Sequence, residues 1–323
     1  MSSVFLDRNL ALEAVRVTEY AALSSSLHMG RGNEKAADQA AVNAMRDFLN
    51  ELDVNGKVVI GEGERDKAPM LYIGETIGKG EVKVDIALDP LEGTTITAQG
   101  GENALSVLAI GEEGSFLHAP DIYMKKIAYG YKYENLEINI DDEPSKIVKE
   151  FSNFSKIRAE NIVVCILDRP RHQELINEVR STGARIKLIP DGDVSAVIAT
   201  SINDSGIDLY MGTGGSPEGV LAAAALRCLG GKIYTKLIFD TDEIFERAQD
   251  MGIRDKNTIY NTTDLAKGDV MFSATGVTDG TMLKGVHFIN NKATTHSVVM
   301  RSKTNTLRYI KAEHDLDKKI INQ

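Results

Sequence analysis

The stretch Val82-Lys83-Val84-Asp85-Ile86-Ala87-Leu88-Asp89-Pro90-Leu91-Glu92-Gly93-Thr94-Thr95 begins as a strand and ends as a sharp turn. Val82, Val84, Ile86 and Leu88 alternate with Lys83, Asp85, Ala87 and Asp89, the period of two that a β-strand requires, so Asp85 and Asp89 are expected on its polar face. Pro90 has no N–H for a ladder and is expected to stop the strand just after Asp89, while Gly93 lets the chain turn. Asp89, Glu92 and Thr94 then converge on one small volume. Two or three carboxylates with a main-chain carbonyl make an all-oxygen nest suited to Mg²⁺ or Mn²⁺. Thr94 brings a hydroxyl able to orient a water, and the amides near Thr94 and Thr95 can hold a phosphate if they open a helix or nest. A plain strand-terminating turn has the same spacing.

Upstream, Asn9 to Leu27 and Glu34 to Leu49 are Ala-rich, with apolar residues at three- and four-residue steps. This predicts two helices parted by Gly30-Arg31-Gly32. At about 100° per residue, Asp38 falls on the stripe formed by Ala41, Val42, Met45 and Leu49. A carboxylate on an apolar face needs a cation or strong donors; backbone amides at the helix start, or an arginine, would also serve. Val58 to Ile60 is a short β-branched strand followed by Gly61-Glu62-Gly63-Glu64. Acids among glycines at a strand's carboxyl end suit an ion or ligand, although a solvated Gly-rich turn has the same composition.

Downstream, Leu105 to Ile110 and Ile122 to Tyr129 add sheet around the turn at Glu112-Glu113-Gly114, so the first half reads α+β. Beyond the polar stretch Asn139 to Ser145 the rhythm becomes strand, loop, helix: Ile162 to Leu167, Glu174 to Thr182, Ile186 to Ile189, Val194 to Thr200, Ile207 to Met211. This βαβ grammar puts a boundary near residue 150, with residues 1–150 as an α+β metal and phosphatase domain and residues 151–323 as an α/β substrate-binding domain. Arg169-Pro170-Arg171-His172 leaves one strand and Asp191-Gly192-Asp193 another, on the carboxyl edge where α/β ligands bind. Arginines suit phosphate and acids suit sugar hydroxyls; solvated turns with an internal ion pair are the plainer alternative. A Gly-rich loop, Gly212 to Gly219, feeds the helix Val220 to Leu229, with Ser216-Pro217-Glu218 as cap, first-turn proline and early acid. Its glycines are denser than a cap requires, as where backbone nears a substrate. From Asp269 the tail adds strands with a turn near Asn290-Asn291.

Composition narrows the partners. The 323 residues carry 37 Lys and Arg against 47 Asp and Glu, and a net charge of −10 repels nucleic-acid backbones. The longest apolar runs, such as Ile162 to Leu167, fall far short of the roughly 18 residues that span a bilayer, and Met1 to Asn9 leads into no apolar export signal. Cys165 and Cys228 are expected as buried reduced thiols, and the cytoplasm is the expected compartment. The six histidines lack HxxxH or HxH spacing, no GxSxG elbow occurs, and the Gly-rich loop lacks a P-loop ending.

The ordered set Gly30-Arg31-Gly32, Ala37-Asp38, Ile60-Gly61-Glu62-Gly63-Glu64, Ala68-Pro69-Met70-Leu71, Asp89 to Thr94, Ala119 to Met124, Arg169 to His172, Pro190 to Asp193 and Pro217-Glu218-Gly219 closely resembles class II fructose-1,6-bisphosphatase of bacteria. The Asp89 to Thr94 segment also resembles the wider lithium-sensitive phosphatase superfamily, whose pattern has Asp where Glu92 stands. The resemblance implies a layered α/β/α/β/α sandwich and Mn²⁺- or Mg²⁺-dependent release of the 1-phosphate of fructose 1,6-bisphosphate, in gluconeogenesis. Related readings are sedoheptulose 1,7-bisphosphate or an inositol-type monophosphate as substrate, and a non-catalytic sugar-phosphate sensor. It implies metal ligation by Asp38, Glu62, Asp89 and Glu218 with Glu92 beside them, and Thr94 as the residue that positions and activates the attacking water. Sugar-phosphate contacts are implied for Glu92, Gly93, Thr94, Tyr123, Arg169, Pro170, Arg171, Asp191, Gly192, Asp193 and Gly215, in a homo-oligomer, dimer or tetramer. Asn33 stands where many relatives have an acid, Arg169 replaces a lysine, and Thr213 and Ser216 vary the Gly-rich loop.

Overall fold

The computed structural model describes residues 9–63 and 70–318; Glu64, the Ala68-Pro69 pair and the residues before Asn9 lie outside the described residues. The chain divides into two compact units, Met1–Leu117 with Lys267–Gln323, and His118–Ala266. No helix among the described residues is long and apolar enough to cross a membrane.

The first unit opens with α1 (Leu10–Ser26) and α2 (Glu34–Leu49). α1 is buried on nearly every side, whereas α2 buries the predicted stripe, Ala37, Ala41, Val42, Met45 and Leu49. Asn33 sets the start of α2, its side chain accepting the Ala36 N–H at 3.1 Å. The chain then forms β1 (Asn55–Ile60), β2 (Thr76–Ile77), β3 (Lys83–Glu92), α3 (Thr94–Gln99) and β4 (Leu105–Glu112). β1 and β3 are parallel neighbours, so Gly61-Glu62 and the segment from Asp89 leave the sheet at the same edge.

Pro90 does not end β3. It sits where the register with β4 slips between Asp89 and Glu92, an irregularity that asks no N–H of it, and pairing resumes at Glu92 with Leu105. Nor is one face of β3 polar. Asp85 is 3% exposed and its Oδ2 accepts the Gly114 N–H at 2.8 Å, so the acid is buried with a donor.

At His118 the chain enters the second unit, with β5 (Tyr123–Tyr129), α4 (Pro144–Ser155), β6 (Val163–Leu167), α5 (Gln173–Ser181), β7 (Arg185–Ile189) and α6 (Asp193–Ala199). β8 (Leu209–Gly215), α7 (Ser216–Leu229), β9 (Lys232–Leu237), α8 (Asp242–Asp250), β10 (Ile259–Asn261) and α9 (Thr262–Leu265) complete it. The sheet order is β10-β9-β5-β8-β6-β7, with β7, β6 and β8 parallel. Alternation puts Ile127, Tyr129, Val164, Ile166, Leu209 and Met211 in one core with Ile147 and Phe151 of α4 and Ile176 and Val179 of α5. Met124, Lys126 and Tyr210 take the other face, toward α6 and α7. Helices cover both faces, as βαβ crossovers require.

From Lys267 the tail returns to the first unit as β11 (Val270–Gly276), β12 (His287–Ile289), β13 (Lys292–Arg301) and β14 (Thr306–Asp315). That sheet reads β12-β13-β11-β4-β3-β1-β2, with β14 on β13, and Asn290-Asn291 turns β12 into β13. Buried hydroxyls tie the tail to α1: Thr18 lies 2.8 Å from Thr275, and Thr295 donates to Glu19 Oε1 at 3.0 Å. The units therefore part at His118 and Lys267, away from the expected boundary near residue 150. β5 lies inside the second sheet, between β9 and β8, and β11 pairs with β4 in the first. Periodicity marks a segment as a strand without naming its partner. The α/β class holds, with two sheets flanked by helices.

Candidate active site

In the first unit, the loop before α2 is pinned to α3 by Gly30 N–H to Thr97 O at 2.9 Å and Gly32 N–H to Ala98 O at 2.8 Å. Asp38, in the second turn of α2, is partly buried and has no hydrogen-bonding or ionic partner among the described residues. Burial pushes its carboxyl up from the ordinary range. Among the described residues neither helix amides nor an arginine satisfies it. Glu62 follows β1, its N–H donating to Leu71 O at 3.0 Å, and a Cβ on Gly61 would stand 2.3 Å from that same oxygen.

Asp89 is partly buried and accepts the Leu91 N–H on Oδ1 at 3.0 Å, and Glu92 is 4% exposed. Gly93 then takes φ +93°, a conformation costly for residues with a Cβ, and α3 starts at Thr94. The Thr94 hydroxyl is partly exposed and has no partner among the described residues. Among the described residues no group of three or more His, Cys, Asp or Glu side chains stands in a metal-holding arrangement. The structure thus brings Glu62 and the Asp89–Thr94 segment to one sheet edge without gathering the acids into a closed coordination group.

In the second unit, the loops after β6, β7 and β8 all leave the carboxyl edge of parallel strands, and Tyr123 pairs with Gly215 at that edge. Arg171 donates from Nε and Nη2 to Thr213 O at 3.1 and 2.8 Å, and its guanidinium lies 4.6 Å from the centre of the exposed Tyr123 ring. Arg169 Nη2 stands 3.8 Å from Asp191 Oδ1, which also accepts the Gly192 N–H. A cavity of about 310 Å³ opens beside Arg171, lined also by Lys125, Glu143, Leu175, Met211 and Thr213.

The Gly-rich stretch is not a loop. β8 runs to Gly215 and α7 starts at Ser216, whose buried hydroxyl donates to Pro120 O instead of capping the helix. What approaches the glycines is the protein itself. A Cβ on Gly214 would lie 2.2 Å from Asp193 Oδ2, on Gly215 2.1 Å from Glu218 Oε2, and on Gly219 2.5 Å from Met124 Sδ. Asp193, expected to meet sugar hydroxyls, is 6% exposed, and its Oδ2 lies 2.6 Å from Lys126 Nζ. Its carboxylate is committed inside. Removing one partner of such a pair typically costs about 3–5 kcal/mol, because the other charge is stranded.

Glu218, on the first turn of α7, has Oε2 buried with no hydrogen-bond partner among the described residues. Burial pushes its carboxyl up, the Asp193 charge adds to this, and Lys126 opposes both. A carboxylate oxygen left without a donor in such surroundings is costly unless a cation meets it. As oxygen donors, Asp38 of the first unit and Glu218 of the second each have the chemistry of a ligand to a hard divalent ion.

Two residues here had no role assigned from the sequence. The signal for Lys126 was present: Lys125 and Lys126 stand mid-strand in Tyr-Met-Lys-Lys-Ile-Ala-Tyr, one on each face. His172 is buried, with Nδ1–H donating to Leu167 O at 2.7 Å and Nε2 accepting the Thr213 N–H at 2.8 Å, which joins the Arg171 loop to β8 and requires a neutral ring. Burial holds its imidazole below the usual range, with the Leu167 carbonyl opposing. With the folded value depressed, the unfolded chain binds more protons between the two values. The joint therefore contributes fully above about pH 6.5 and its contribution is lost as pH falls through the folded value. Melting temperature followed from neutral to mildly acidic pH should fall more steeply in the native protein than in His172→Gln; parallel curves would clear His172 of the effect.

A partly buried carboxyl without a partner among the described residues in one unit, Asp38, and guanidinium groups at the open edge of an α/β sheet in the other suit a phosphoester hydrolase that works with a divalent cation. The family described as bacterial fructose-1,6-bisphosphatase, glpX-encoded, matches residues 8–314. The chain belongs to that family, and so to the phosphatases that hydrolyse fructose 1,6-bisphosphate. It is 41% identical to a D-fructose 1,6-bisphosphatase class 2/sedoheptulose 1,7-bisphosphatase of Trichodesmium erythraeum, over 96% of this chain and 97% of that one. It is 42% identical to the protein of the same name in Synechocystis, with the same coverage. Among solved structures, the Thermotoga maritima IMPase is similar at 14% identity and a TM-score of 0.34, covering 65% of this chain and 80% of that one, too slight a likeness to bear on the argument.

Proposed function

We propose that the chain releases the 1-phosphate of fructose 1,6-bisphosphate with Mn²⁺ or Mg²⁺ held by Asp38, Glu62, Asp89, Glu92 and Glu218. The family match over residues 8–314 carries this reading, and two observations support it: Asp38 has no partner among the described residues, and the buried Oε2 of Glu218 has no hydrogen-bond donor among them. A bound divalent cation supplies charge neutralisation for the phosphoryl oxygens and a more acidic water. The Thr94 hydroxyl would orient the attacking water for in-line displacement. The water oxygen bonds to phosphorus as the bond to the sugar's O1 breaks, and a proton ends on the leaving oxygen. Arg171, with Nε and Nη2 on Thr213, keeps Nη1 for a phosphate, and Tyr123 stacks beneath it. Arg169, Pro170, Asp191 and Gly192 frame the sugar phosphate, and Gly93 and Gly215 let backbone come close. The same reading places the protein in the cytoplasm and in gluconeogenesis, as a homo-oligomer of two or four chains.

Because relatives at 41 and 42% identity carry sedoheptulose 1,7-bisphosphatase in their names, that sugar is the second substrate we propose. Phosphate release should be measured from both bisphosphates and from an inositol phosphate, with Mn²⁺ or Mg²⁺ and after EDTA. Both sugar bisphosphates should turn over, stop on chelation and resume with added metal. Turnover that survives exhaustive EDTA overturns the metal, preference for inositol phosphate overturns the substrate, and binding without turnover makes the protein a sensor.

A further inference from the structure

We propose that Lys126 is a positioning residue for Glu218, its ion pair with Asp193 forming the strut on which the turn from β8 into α7 is set. This rests on reading Glu218 as a metal ligand. Lys126 lies mid-strand in β5, opposite Gly212 of β8 on one side and Thr235 of β9 on the other, and is 1% exposed. Its neighbours on that face of β5, Met124 and Ala128, are buried and apolar, so nothing in the strand itself calls for an ammonium. Lys126 Nζ meets Asp193 Oδ2 at 2.6 Å, at the first residue of α6, and the Tyr210 hydroxyl donates to the same oxygen at 3.4 Å. Desolvation largely offsets the attraction in such a buried pair, so stability alone is a poor reason for it.

The turn is built against this pair at both ends. Before the turn, a Cβ on Gly214 would stand 2.2 Å from Asp193 Oδ2 and 3.1 Å from Lys126 Nζ. After it, a Cβ on Gly219 would stand 3.4 Å from Lys126 Cε and 2.5 Å from Met124 Sδ. Between these two points lies Glu218, whose carboxylate is seated where a Cβ on Gly215 would be, 2.1 Å from Oε2. Two consecutive glycines give residues 214 and 215 little stiffness of their own. The place of Glu218 is set by what the turn rests on.

The test is Mn²⁺ affinity, read from the paramagnetic resonance signal of free Mn²⁺, together with melting temperature and with kcat and KM at saturating metal. Lys126→Met keeps the stem and removes the ammonium; groups that support a metal ligand are worth about ten- to a hundredfold in affinity, so Mn²⁺ should bind at least about tenfold more weakly, with kcat falling and KM moving little. Lys126→Met with Asp193→Asn removes the stranded charge as well. That double variant should recover melting temperature while Mn²⁺ affinity stays weak. Native Mn²⁺ affinity in either variant, whatever its melting temperature, means that the pair is structural only and overturns the proposal. Glu218→Gln run alongside separates the two failures: native Mn²⁺ binding there overturns the ligand reading itself.

Discussion

Asp89→Asn is expected to lower kcat/KM for fructose 1,6-bisphosphate by about 10²-fold or more while the protein stays folded. Asn is nearly isosteric, and its side-chain carbonyl can still accept the Leu91 N–H that Asp89 Oδ1 takes at 3.0 Å. The turn into Glu92-Gly93-Thr94 is therefore kept. What goes is one negative charge from the proposed metal site, and metal charge stabilisation of a phosphoryl transition state is worth several kcal/mol, at about 1.4 kcal/mol per tenfold in rate. The same change should weaken Mn²⁺ binding and leave the melting temperature within experimental scatter. Native turnover with native Mn²⁺ affinity would take Asp89 out of the site.

Local chemistry was legible in the sequence where it depends on neighbours along the chain. The apolar stripe of α2 and the odd acid Asp38 on its edge follow from helical spacing, and the β6–α5–β7 unit follows from alternating periods. Several of the departures from the family pattern have local structural roles: Asn33 caps α2, Arg169 approaches Asp191, and Ser216 donates to Pro120 O. Pairing across long separations was not legible. That β5 belongs between β9 and β8, and that β11 rejoins β4 after 149 residues of second unit spanning His118–Ala266, is decided by which sheet edge a strand completes. The same limit hid the use of the glycines at 214, 215 and 219. Their density pointed to close approach, correctly, but the visitors are Asp193, Glu218 and Met124 of the chain itself.

Thr94→Ala and Arg171→Ala should fail in different kinetic parameters. The Thr94 hydroxyl has no partner among the described residues, and the cap position of α3 belongs to Gly93, so its removal should leave melting temperature almost unmoved. A hydroxyl that aligns the attacking water acts in the transition state, and its loss should lower kcat by about 10²-fold or more with little change in KM. Arg171 does two things. Its Nε and Nη2 hold Thr213 O, so Arg171→Ala should cost about 1 kcal/mol of stability, the ordinary net worth of a hydrogen bond. On the proposed reading its remaining N–H groups serve substrate phosphate in ground and transition state alike, so KM should rise while kcat falls less. Measuring kcat, KM and melting temperature on both variants separates the roles, because a mere loss of folded protein scales kcat by the folded fraction and leaves KM untouched. Near-native kcat in Thr94→Ala sinks the water-positioning role even if substrate and fold stand, and an unchanged KM in Arg171→Ala restricts that guanidinium to bracing Thr213.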